Sequence, residues 1–256
     1  MSASPRPSSA PRIAVVLPTF EEAAVIGGLL ERLLALGCVR RVVVVDDASP
    51  DGTGNIVERL AQDSPVLHLI RRPERSGVGG AMLDGIRFAL EDHADIVVLM
   101  DADGSYRPDD LWALVDAVRS TDAGRPGVAL GSRWTVGAHR EHWDPLPSVA
   151  NWALNVSLRR RHGLRARDCS SGFRALNRQA ATTIAAGDEW PPGFAFSVAT
   201  LHELERRGAE VVEVPVRFRG RHTGATKRTL LDAVGAFQRL STQRTRTRGD
   251  VESVRR

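Results

Sequence analysis

The stretch DIVVLMDADGSYRPDDL, Asp95 to Leu111, decides the fold. Ile96 to Met100 are five consecutive aliphatic residues, a short apolar run of the kind that forms a strand buried on both faces. Two aspartates, Asp101 and Asp103, follow it at once. Runs of the same kind recur as IAVVL from Ile13, RVVVVD from Arg41, VLHLI from Val66 and GVALG from Gly127. Between them lie stretches with helical spacing, such as Leu29, Leu30, Leu33, Leu34 and Leu83, Ile86, Ala89, Leu90. Short β-branched runs alternating with helical patterns predict an α/β fold, a mostly parallel central sheet flanked by helices on both faces.

In such open sheets ligands bind beyond the carboxyl ends of the strands. The segments found there are PTFEE after Leu17, DDASPDGTG after Val45, DADGSY after Met100 and GSR after Leu130, all polar and two doubly acidic. Carboxylates gathered at one edge repel one another unless a cation neutralises them. Asp101 and Asp103 are two residues apart on an extended or turning backbone, so both can reach one divalent ion. Their plain structural alternative is that Asp101 ends a strand and Asp103 caps the helix entered at Pro108. The acidic pair Asp46 and Asp47 at the same edge favours the metal. It also offers acceptors to a base or ribose, whereas a turn and helix cap suffice to explain Ser49 to Gly54. Gly77, Gly79 and Gly80 in RRPERSGVGGAMLDG open a helix beside Arg71, Arg72 and Arg75. They match no dinucleotide fingerprint, and suit either a phosphate or close helix packing.

The 256 residues, 42% hydrophobic and 26% charged, suit one α/β domain. Residues 1–12, Pro- and Ser-rich, read as a disordered leader, 13–228 as the folded domain, and 229–256 as a helix from Leu230 with a basic tail. Beyond Arg133 the strand–helix rhythm weakens. A loop is expected through VGAHREHWDPLP, a helix over Val149 to Arg161, another over GFAFSVATLHELERRG, and one alternating strand in AEVVEVPVRF. No aliphatic run approaches the ~20 residues of a membrane span. Two cysteines, Cys38 and Cys169, make no disulfide framework and point to the cytosol. The chain is strongly basic only from Arg219 onward, where ten Lys or Arg face three acids, so the charge fits either a solvated extension or a surface that meets phosphate groups or anionic lipid, and no nucleic-acid partner is expected. Of 35 basic residues only Lys227 is lysine, which singles out RHTGATK as a place that needs a compact ammonium. No Ser-His-Asp order, Gly-x-Ser-x-Gly elbow or His metal spacing appears.

Taken in order, PTFEE, VVDDASPDGTG, RSGVGGAMLDG, MDADGSYRPDDL, GSRW, DCSSGFRALN, GFAF and RHTGATK resemble the series of the inverting family 2 glycosyltransferases, within them the polyprenyl-phosphate mannosyltransferases. The resemblance spans Ile13 to Lys227. It implies the GT-A fold, a sugar-nucleotide donor with GDP-mannose foremost, a polyprenyl phosphate acceptor and Mg²⁺ or Mn²⁺. By it, Pro18, Thr19, Glu22, Asp46 and Asp47 hold the nucleotide, and Asp101 and Asp103, with Ser105 in the third ligand place, hold the ion on the diphosphate. Arg133, Arg174, Arg221 and Lys227 approach the phosphates of donor and acceptor. No general base is implied, since a lipid phosphate is already ionised. The enzyme would sit in the cytosol or peripherally on the cytoplasmic face of a membrane, touching it through its basic end. The chain departs from the family pattern at Glu21, at Ser105 and at Ser197 and Ala199. Glu21 and Ala199 keep open a UDP-sugar donor with glucose or N-acetylhexosamine and a lipid phosphate or soluble acceptor, while intact Asp101, Asp103, Arg133 and Lys227 argue against a non-catalytic nucleotide-binding protein.

Overall fold

The computed structural model describes residues 10–220, apart from 122–123, 143 and 188–189. In chain order the elements are β1 (Ile13–Thr19), α1 (Ile26–Ala35), β2 (Val39–Asp46), α2 (Thr53–Gln62), β3 (Leu67–Arg71), α3 (Val78–Glu91) and β4 (Ile96–Leu99). A 3₁₀ turn at Pro108–Asp110 then leads into α4 (Leu111–Arg119), β5 (Gly127–Ser132), β6 (His139–Glu141), α5 (Pro145–His162) and β7 (Arg174–Asn177). The described chain closes with α6 (Arg178–Ala185), α7 (Phe194–Arg206), β8 (Glu210–Pro215) and β9 (Arg217–Arg219).

Seven strands form the main sheet in the order β3-β2-β1-β4-β7-β5-β8, and β6 and β9 make a small parallel pair. All pairings in the main sheet are parallel except those of β7, which runs antiparallel between β4 and β5. Alternate residues of each strand feed two cores. Val15, Leu17, Val42, Val44 and Val98 pack beneath α1, α2 and α4, while Val16, Val43, Val45, Val97 and Leu99 pack beneath α3, α6 and α7. Burial on both faces is why the strands read as unbroken aliphatic runs. Helix α3 lies directly on β1. A Cβ at Gly85 would fall 2.2 Å from Val16 Cγ1, so only glycine permits that approach.

The second half departs from its sequence reading in three places. The alternating segment near the end splits into two strands in different sheets, β8 and β9. Pro215, without an amide proton, closes the β8 ladder, and the chain turns toward β6. Within the expected loop, His139–Glu141 forms β6, because β9 offers it an edge only tertiary structure creates. Helix α5 begins at Pro145 rather than Val149, with proline in its first turn and Gly163 in the left-handed conformation as its stop.

β1, β2 and β3 step one way across the sheet and β4 lands on the other side of β1. The carboxyl ends of β1 and β4 therefore flank a topological switch point, where open α/β sheets bind ligands. β7 runs the other way, so its first residue, Arg174, lies opposite Leu99 at this same edge. Thus the 168–173 segment, Arg133 after β5 and the DADGSY loop after β4 all reach one rim. No helix among the described residues is long and apolar enough to cross a membrane.

Candidate active site

On the β1–β2 side of the rim, three backbone amides of the PTFEE loop are stitched to the DDASPDGTG loop. Glu21 N donates to Ser49 Oγ (3.0 Å), Glu22 N to Thr53 Oγ1 (2.9 Å) and Ala23 N to Asp51 Oδ2 (3.0 Å). Burial raises the Asp51 carboxyl, but the hydrogen bonds it accepts from Thr53 and Ala23 bring it below its ordinary value. Pro18 and Thr19 end β1, and Asp46 ends β2 beside them. Asp46 is buried and accepts from Thr19 Oγ1 (3.1 Å), Ser49 N (3.2 Å) and Ser49 Oγ. Asp47, equally buried, accepts from Arg72 (2.6 Å), Ser76 N (3.1 Å) and Gly77 N (2.7 Å). Asp47 thus takes the two amides just before α3, those of Ser76 and Gly77. The nearby glycines serve close packing: a Cβ at Gly79 would fall 2.8 Å from Phe196 Cβ.

On the β4 side, Asp103 does not cap a helix. Its Oδ1 accepts Ser105 N (3.0 Å), which closes the DADGS turn on itself, and neither the 3₁₀ turn nor α4 has a side-chain cap. Tyr106 anchors the turn from below. Its buried ring sits 5.0 Å from Phe173 and 5.3 Å from Phe218, and Ser105 O accepts Arg219 N (2.9 Å) from β9. Burial pushes the Tyr106 phenol up to about 12, so it acts as a neutral strut bonded to Ser171 Oγ (3.3 Å). Gly172 passes close over Asp101. A Cβ there would lie 2.8 Å from Oδ2, and glycine alone leaves that flank of the carboxylate uncovered. Two carboxylates and the hydroxyl of Ser105 are hard oxygen donors that fit Mg²⁺ or Mn²⁺. Among the described residues no group of three or more His, Cys, Asp or Glu comes together, so a cation here would complete its shell with water or substrate oxygens.

Beside this turn lies a buried ion pair that sequence reasoning missed. Arg133 donates to Asp168 through its backbone N (3.0 Å), Nε (2.8 Å) and Nη2 (2.8 Å), and through Nη2 also to Ser170 Oγ (2.7 Å). Desolvation opposes charge on both partners, yet their mutual attraction wins: the guanidinium is held above its ordinary value and the carboxyl below. Asn155 of α5 completes the network, donating to Ser170 Oγ (3.0 Å) and accepting from Ser170 N (3.1 Å). The only sequence signal was the acid that opens DCSSGFRALN, and nothing adjacent to it marks its partner 35 residues earlier.

Arg174 requires a correction. The resemblance sends it to a substrate phosphate, but its guanidinium is fully buried and wholly engaged with the protein. It donates to the carbonyls of Ser197 (2.7 Å), Ser171 (2.8 Å) and Cys169 (3.2 Å) and to Thr200 Oγ1 (3.4 Å). No carboxylate pairs with it among the described residues, and burial lowers its pKa to about 10. It braces the 168–173 loop against α7 from beneath. Its charge, like that of Arg133, is within electrostatic reach of Asp101. Arg221, Lys227 and the expected helix from Leu230 lie outside the described residues.

An open α/β sheet binds its ligands in the crevice at the switch point, and that is where the acidic turn lies. The family model "Glycosyl transferase family 2" matches residues 14–185. The chain is 34% identical over 216 residues to the undecaprenyl-phosphate mannosyltransferase of Micrococcus luteus, a match covering 84% of this chain and 87% of that protein. It is 33% identical over 217 residues to the polyprenol monophosphomannose synthase of Mycolicibacterium smegmatis, covering 84% and 80%. Among solved structures, the mannosyltransferase PcManGT of Pyrobaculum calidifontis, in complex with GDP-Man and Mn²⁺, superposes with a TM-score of 0.57 at 24% identity over 87% of this chain and 60% of that one. The fold is GT-A, and the chain belongs to glycosyltransferase family 2.

Proposed function

We propose that this enzyme transfers mannose from GDP-mannose to a polyprenyl phosphate with inversion, using Mg²⁺ or Mn²⁺. The observation that carries this reading is the pairing of the Asp101–Asp103 turn with the buried cation Arg133 at one switch point, in a chain whose relatives are named for mannosyl transfer to polyprenol phosphates. Asp101 and Asp103, with Ser105 beside them, would hold the ion. When bound, the ion neutralises the diphosphate and stabilises it as a leaving group.

The remaining work falls to the chain's own residues. Pro18, Thr19, Glu22, Asp46 and Asp47 line the β1–β2 side for the nucleotide, with the two aspartates already oriented by protein donors. Arg133, locked by Asp168, contributes fixed positive charge that needs no reorganisation as the diphosphate departs. A phosphate oxygen of the acceptor forms the new bond to C1 of mannose as the bond from C1 to the diphosphate oxygen breaks, and GDP leaves. The acceptor is already ionised and brings its own nucleophilic oxygen. Asp168, whose carboxyl is spent on Arg133, is not needed as a base. Arg221 and Lys227 follow Gly220, whose amide donates to Glu141 O (2.9 Å), and we retain them as phosphate contacts. We likewise retain the division into a leader over 1–12, a catalytic domain over 13–228, and a basic end over 229–256 that meets the cytoplasmic face of a membrane.

Incubation with radiolabelled GDP-mannose, polyprenyl phosphate and Mn²⁺ tests the reading. The expected result is a lipid-extractable mannosylated product that chelation abolishes. Absence of that product, with a UDP-sugar consumed instead, overturns it.

A further inference from the structure

We infer that Arg140 and the outer face of α5 form the acceptor site, Arg140 taking the lipid phosphate and α5 the first part of the prenyl chain. This rests on the proposed acceptor class and assigns it to residues that neither the motifs nor the relatives single out.

The cation comes first. Arg140 of β6 lies with its guanidinium carbon 4.7 Å over the Trp134 ring, and its Nη1 donates to Arg133 O (3.3 Å). No carboxylate pairs with it among the described residues. The arginines around it differ: Arg107 and Arg219 share Glu141, and Arg217 is held by Asp110. An exposed guanidinium fixed on an aromatic face, next to the backbone of Arg133 and lacking an acid, is a preorganised partner for a phosphate.

The apolar surface lies on the helix to which the same indole is bonded. Trp134 Nε1 donates to Asn151 Oδ1 (3.1 Å), which pins Arg140 and Trp134 to α5. The inward side of that helix carries Asn155, Leu158 and His162, all buried. Its outward side carries Leu146, Val149 and Trp152 at intervals of three residues, 78%, 60% and 52% exposed. Val136, in the loop between Trp134 and β6, is 88% exposed. These four account for all but one of the large exposed hydrophobic residues described, so the exposed apolar surface is concentrated on α5 and on the loop that leads to the strand of Arg140. A phosphate joined to a hydrocarbon chain matches this arrangement: a charged head seated beside the catalytic rim and a tail running along a helix. A bare bilayer would also meet the apolar residues, but it would not call for a single cation beside Arg133.

Two measurements test the inference. Steady-state transfer from GDP-mannose is compared for undecaprenyl phosphate and a short-chain prenyl phosphate, in wild type, Arg140→Ala, Arg140→Lys and the triple variant Leu146→Ser/Val149→Ser/Trp152→Ser. Arg140→Ala should raise KM for both acceptors about tenfold or more, the scale of a lost charged hydrogen bond. Arg140→Lys should recover only part, because the ring-stacked plane is lost. The triple variant should lose the preference for the long chain while keeping its KM for the short one. Flotation with phosphatidylcholine vesicles, with and without undecaprenyl phosphate, reads the site independently of chemistry. Wild type should float better when the lipid phosphate is present, and the triple variant should lose that increment. GDP titration calorimetry and melting temperature verify that each variant is folded. A KM increase confined to GDP-mannose, an unchanged chain-length preference, or equal loss of flotation with and without the lipid phosphate overturns the inference. If wild type transfers mannose to neither acceptor, the proposed reaction fails, and flotation still decides the binding site.

Discussion

Asp168→Asn should be among the most damaging single substitutions in this protein, through a buried charge it leaves behind. Asp168 is wholly buried and accepts three bonds from Arg133, which is itself nearly buried. Removing one partner of a buried ion pair costs about 3–5 kcal/mol because the other charge stays desolvated. For a domain of this size each kcal/mol moves the midpoint by about 2–4 °C, so a loss on the order of 10 °C is expected in thermal unfolding. The pH dependence has a definite sign. The carboxyl titrates below its ordinary value in the folded state, so its contribution is present above the unfolded value of about 3.9 and is lost as pH falls through the folded one. Wild type should therefore lose stability on the acid side more steeply than Asp168→Asn. Combining Asp168→Leu with Arg133→Met removes both charges and should restore most of the stability while abolishing transfer. A cost below about 1 kcal/mol for Asp168→Asn, or a double variant as unstable as the sum of the singles, refutes the reasoning.

Three further outcomes follow from the same geometry. Asp103→Ala removes one of two carboxylates on the proposed ion and the acceptor that closes the DADGS turn; kcat/KM should fall about a hundredfold or more, and added Mn²⁺ should restore little, as read by radiolabel transfer across a metal titration. Arg174→Lys cannot reach acceptors spread over Cys169, Ser171, Ser197 and Thr200; urea unfolding should show a loss of about 2 kcal/mol or more, and unchanged stability would contradict the bracing role. Burial pushes the Cys169 thiol up to about 12 and its Sγ donates to Asn155 Oδ1 (3.0 Å), so mass spectrometry after iodoacetamide treatment at mild pH should find Cys169 modified only once the protein is unfolded.

The aliphatic runs made the first half of the fold legible, because a parallel strand buried on both faces has little alternative reading. The acidic turn was legible for the same reason: two carboxylates directly after a buried strand must lie at its carboxyl end. What could not be read were features created by distant pairings. β7 has four residues, and its strand character depends on the slot between β4 and β5. β6 and β9 pair, as strands, only with each other. Asp168 and Arg133 are separated by 35 residues, and only β5 and the 168–173 loop arriving at one rim makes them a pair. Arg174 was the instructive failure. A motif supplies an arginine's position along the chain, but whether its guanidinium faces substrate or backbone is fixed by which strand neighbours it, and an antiparallel β7 turned this one inward onto three carbonyls.

That inward turn bears on how the rim handles charge. Asp101 feels two buried guanidiniums, Arg133 with an acid partner and Arg174 with none. Asp168 offsets part of the charge of Arg133, and Arg174, with no ion-pair partner among the described residues, adds a second cation near the acidic turn. Held among neutral carbonyls, it cannot swing toward a phosphate, but its field reaches the rim through protein rather than water and is weakly screened. The same residue that is excluded from direct contact therefore biases the site toward anions. A conservative lysine, assayed at a pH low enough to keep it protonated, would hold that charge while losing the brace, and Arg174→Met would lose both. If nucleotide affinity falls in Arg174→Met and not in an equally destabilised Arg174→Lys, the field matters apart from the packing; if the two variants weaken binding alike, Arg174 acts through structure alone.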